Sequence, residues 1–312
     1  MIANITQFWN ITRELDINGL RESFEQPVSL RVLGSDQAIA DRVARLIEPD
    51  PEAGEVTAAV LGVTPRERAD AYIAAIAGPL DAEARRELSD LSVGDAPVLV
   101  VQSEDAAGML VLGIPEERII TLGASEADDE VRDRLFRALV QAAPEVILSA
   151  GRRHPLLREP IADHLIFDTS RVNAQFAALA SLPAALPLFG GLVGEVADTI
   201  VLTKNQVLLL FKLAGLYGRD IQFGPELILE ILPVVGGAFV WRTTARTLVG
   251  LLPPLLGLLP KTAVAYTGTF VVGQSARYYY RFGHKPPPEI AHELRMEAQR
   301  LAEAMRWRLP GR

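Results

Sequence analysis

A parallel α/β sheet followed by a helical, apolar second half is the fold class that this sequence predicts. Three observations carry it. Between residues 28 and 142 short apolar runs alternate with segments of helical period, which is the pattern of successive βαβ units with helices on both faces of the sheet. After Asp168 that alternation gives way to long apolar stretches rich in Gly and Pro. The charge divides at the same place: residues 1–168 carry 30 acidic groups against 16 arginines, a net of −14, and residues 169–312 carry 9 against 15, a net of +6, which together give −8.

Taken in order, apolar residues recur at helical spacing from Ile5 through Phe8, Trp9, Leu15 and Leu20 to Phe24, and Pro27 stops them, so residues 1–26 predict an amphipathic helix. Residues 28–33 predict a first strand, Gly34-Ser35-Asp36 a turn ending in a helix N-cap, and 37–47 a helix. Residues 56–61 predict a second strand, followed by helical segments over 66–76 and 81–91. A third strand falls on 97–101, a fourth on 118–122, and a helix on 130–142. The α/β domain is thus expected over 27–150, the apolar helical domain over 151–283, and a final amphipathic helix over 284–312, with Ile290, Leu294, Ala298, Leu301 and Met305 on one face.

The helical half centres on residues 202–220. Thr203 and Gln206 have capping-box spacing, so Thr203 is expected to start a helix and Gly218 to end it in the left-handed conformation. From Val207 to Tyr217 only Lys212 interrupts an apolar surface, and a helix apolar all round is buried in protein or lipid. Its reach, roughly 21 Å, falls short of a hydrocarbon core of about 30 Å. Arg242 and Arg246 in the turn between two apolar segments count against a spanning hairpin and leave shallow insertion open. The expected location is the cytoplasmic face of the inner membrane, otherwise the cytoplasm.

Composition excludes several chemistries. There is no cysteine, hence no disulfide and no thiolate metal site. The acidic half repels phosphate, so nucleic acid is not an expected partner. The four histidines, His154, His164, His284 and His292, have no metal spacing and read as surface or capping residues. Lysine occurs only at 204, 212, 261 and 285, which removes any lysine-dependent site from the first domain.

In an open parallel sheet, ligands lie beyond the carboxyl ends of the strands, and the first such loop is where phosphate would be cradled. The pattern G-x-x-x-x-G-K-[ST] laid on Gly34 finds Ile39 for the second glycine, Ala40 for the lysine and Asp41 for the hydroxyl. No catalytic residue, cofactor or metal ligand is expected.

The stretch LTKNQ, the apolar helix after it and its closing Tyr217-Gly218, preceded by RRHPLLREPIADHLI and TSRVNAQFAALASLP, resembles the bacterial YcjF-like family. In that family an Era-like GTPase domain precedes an apolar helical domain of unknown function. The resemblance covers Arg152 to about Gly283 and makes Thr203, Lys204, Asn205, Gln206, Tyr217 and Gly218 its family motif. For the first domain it implies a P-loop-GTPase-like sheet with vestigial nucleotide loops. The guanine-reading motif would fall on 102–105, where only Asp105 agrees; the Ser-Ala loop would fall on 123–125, where Ala124 agrees. Gly34, Ser35 and Asp36 would be the remains of the phosphate loop. The D-x-x-G aspartate is missing after the second strand, and the link from 47 to 56 is too short for a switch loop and its extra strand. The expected function is that of a non-catalytic, membrane-associated interaction module that binds a protein partner or self-associates through its helical domain. The alternatives are an unconventional GTP-binding protein and a soluble dimeric helical scaffold.

Overall fold

The computed structural model describes residues 15–50, 56–63, 67–106, 113–123, 126–179, 195–221, 230 and 258–306. The chain divides into two compact units: Glu22–Ile161, and Met1–Arg21 together with Ala162–Arg312. The first is therefore an insertion in the second.

The inserted unit is α/β. Its five strands are β1 (Leu30–Gly34), β2 (Val56–Val60), β3 (Ala71–Ile76), β4 (Val98–Ser103) and β5 (Ile119–Leu122), all parallel, in the order β2-β1-β3-β4-β5. Helix α1 (Ile17–Glu25) precedes the sheet, α2 (Gln37–Ile47) joins β1 to β2, α3 (Ala82–Ser92) joins β3 to β4, α4 (Asp128–Ala142) follows β5, and α5 (Ile147–Arg153) follows α4. The strand order reverses between β1 and β3, which makes the crevice beyond their carboxyl ends the topological switch point.

Two expectations are corrected here. Residues 71–76, expected to be helical, form the central strand β3, so the sheet has five strands rather than four. AYIAAI carries no alternation because all six residues are buried and both faces of the strand are covered. Tyr72, Ala74 and Ile76 pack with Ala84, Leu88 and Leu91 of α3. Ala71, Ile73 and Ala75 face the other way. The helix expected from residue 5 onward is also corrected over its described part. Asp16 accepts the Gly19 N–H at 2.8 Å, so a helix starts afresh at Ile17. Ile5, Phe8 and Trp9 lie outside the described residues.

Helices α2 and α4 are tied together by Arg42 to Asp128 at 2.7 Å and by Arg132 donating to the Leu46 carbonyl at 3.1 Å. The two ends of the unit are also joined: the Arg152 guanidinium lies 5.8 Å over the Phe24 ring, and Ser149 Oγ donates to the Gln26 carbonyl. His154, expected at the surface or as a cap, is the C-cap of α5, its N–H donating to the Ala150 carbonyl at 2.7 Å, and it is fully buried, with Nδ1 3.0 Å from Glu48 Oε2.

In the other unit the described elements are helices: α6 (Arg158–Leu179), which begins at the unit boundary, α7 (Glu195–Leu216), α8 (Leu258–Phe282) and α9 (Pro288–Arg306). The face Ile290, Leu294, Ala298 and Leu301 of α9 docks within the chain, on α8, where Ala298 is fully buried. Among the described residues no helix is long and apolar enough to cross a membrane. The segments around Pro183, Gly190, Pro233, Arg242 and Pro253 lie outside the described residues.

Candidate functional site

The crevice at the carboxyl end of the sheet is built first by what Gly34 permits. A Cβ there would lie 2.3 Å from the Asp36 carbonyl oxygen and 2.9 Å from the Ala40 nitrogen, so only glycine lets the chain turn straight into α2. The helix starts at Gln37, three residues past Gly34. A phosphate-cradling loop needs a longer run before its helix. Asp36 caps that helix, its Oδ1 accepting from the Ile39 N–H at 3.0 Å. The anion-binding end of the helix dipole thus holds the chain's own carboxylate.

The same arrangement recurs along the crevice. Ser35 Oγ accepts from the Ala77 N–H at 3.1 Å, which stitches β1 to the segment after β3, while the Ser35 N–H donates to the Ala75 carbonyl at 2.8 Å. After β2 the Gly62 N–H donates to Glu87 at 2.5 Å. Beyond β3, Asp81 accepts from the Ala84 N–H at 2.8 Å and caps α3. After β4, Ser103 Oγ donates to the Ala77 carbonyl at 3.0 Å and accepts from the Ala106 N–H at 3.3 Å. After β5 the Gly123 N–H donates to Glu126 Oε2 at 3.1 Å, and Arg134 holds the same oxygen at 2.5 Å. Asp105 sits in a short 3-10 turn, exposed to solvent. Ala124 lies outside the described residues.

No family model, curated protein or solved structure matches the chain. Among the described residues no group of three or more His, Asp or Glu side chains could hold a metal ion.

The LTKNQ residues belong to a different place. The expected capping box is corrected: Thr203 and Gln206 lie inside α7, which starts at Glu195, and their i, i+3 spacing puts both on a buried face. Gln206 Nε2 donates to Thr269 Oγ1 of α8 at 2.9 Å, and Asn173 Nδ2 of α6 donates to the same oxygen at 2.8 Å. Asn205 Nδ2 donates to Asn173 Oδ1 at 2.7 Å, and Thr269 passes its own proton to the Ala265 carbonyl at 2.9 Å. Asn173 and Thr269 are fully buried. One direction of hydrogen bonding therefore runs through three helices, and Gln206 Oε1 and Ser170 Oγ have no hydrogen-bond partner among the described residues. Lys204 lies half-buried on α7.

Close approach makes this seam possible. A Cβ at Gly273 of α8 would lie 2.8 Å from Ile166 of α6 and 3.1 Å from Leu209 of α7. Gly218 does end α7: its φ is +81°, the Arg219 N–H reaches the Ala214 carbonyl at 2.9 Å and the Gly218 N–H the Gly215 carbonyl at 3.0 Å, a Schellman closure. Tyr217 is the last residue before it. Asn173, Thr269, Ser103, Glu87 and Glu126 were not singled out from sequence; each acts on a partner distant in the chain or through a backbone N–H, and leaves no motif.

Two titrating groups lie on α6 and α7. Burial holds His164 of α6 below its usual pKa of 6.5, opposed by Asp168 and assisted by Lys212 and Arg171. Burial likewise lowers Lys212, with Asp168 opposing. The unfolded chain binds more protons at His164 than the folded one, so stability falls as the pH drops below about 6.5. His164→Gln is expected to flatten the melting temperature between pH 7 and pH 5; an unchanged slope would reject the assignment.

Proposed function

We propose that this chain is a non-catalytic, GTPase-like interaction protein of the YcjF-like kind, whose helical unit associates with the cytoplasmic face of a membrane. One observation supports it above the others: backbone N–H groups after all five strands, where a nucleotide would be held, are taken by the chain's own Ser, Asp and Glu side chains. A ligand phosphate would have to displace carboxylates from donors they already satisfy, in a crevice they make negative. The parallel order with its switch point between β1 and β3 is compatible with a GTPase-like core without the extra strand. The membrane reading rests on the apolar, net-basic second half and on shallow insertion.

The test is a thermal shift of the full chain with GTP, GDP and ATP, with and without magnesium. A true ligand at a hundred times its dissociation constant would stabilise by about 2.7 kcal/mol. No shift at millimolar nucleotide is expected. Asp105, exposed after β4, favours a second reading: a guanine-specific shift abolished by Asp105→Ala would install an unconventional GTP-binding protein instead. Co-flotation with anionic liposomes tests the membrane part, and full recovery below the vesicles would remove it.

A further inference from the structure

We draw no further inference here: the strongest candidate, the surface patch at the turn from α8 to α9, where the rings of Tyr278, Phe282 and His284 pack together beside Arg281, carries nothing, because nothing in the structure shows what covers it.

Discussion

Asn173→Leu, which keeps the branched shape but none of the polar atoms, is expected to destabilise the helical unit by about 2–4 kcal/mol. The Asn205 amide would lose its acceptor and Thr269 one of its two donors, in a seam where Asn173 and Thr269 are fully buried. Breaking one member of a buried polar network leaves the others desolvated and unpaired, which costs more than the bond itself contributed. Gln206→Met is the informative contrast. Gln206 Oε1 already lacks a partner, so methionine removes an orphaned acceptor together with one hydrogen bond. The net change should stay within about 1 kcal/mol. Urea unfolding of the full chain, read alongside hydrogen exchange in α6, α7 and α8, separates the two. Equal effects for both substitutions would show that the seam is not organised around Asn173.

Gly34→Val should lower the stability of the α/β unit by about 3 kcal/mol. The new Cβ meets backbone on both sides, the Asp36 oxygen at 2.3 Å and the Ala40 nitrogen at 2.9 Å, and neither is the far end of a flexible side chain. The turn would have to open, drawing Asp36 off the Ile39 N–H and α2 away from β1. Gly78, at the same end of the sheet, has nothing within 4 Å of its Cβ position. Gly78→Ala should stay within about 0.5 kcal/mol. Hydrogen exchange at Ile39 and Ala40 distinguishes a local opening from global loss. Wild-type protection in Gly34→Val would contradict the turn described here.

How far the sequence shows this architecture depends on where each signal is stored. Asp36 is legible because a cap is local: a short acceptor one turn ahead of an apolar period. Gly218 is legible for the same reason at the other end of a helix. Residues 71–76 are not, because a strand buried on both faces loses alternation, and five alanines and isoleucines among six residues resemble a helix equally well. Thr203 and Gln206 misled because i, i+3 spacing serves both a helix start and a buried face. The network Gln206 enters draws on Asn173 and Thr269, 96 residues apart, and nothing in the chain marks those two as neighbours before it folds.

The inserted arrangement has a consequence for synthesis. The α/β unit is a continuous run, Glu22–Ile161, whose contacts close as the ribosome releases it. Residues 22–161 can therefore complete the sheet before residues 162–312 are made, and truncated nascent chains ending near Ile161 should carry a protease-resistant sheet.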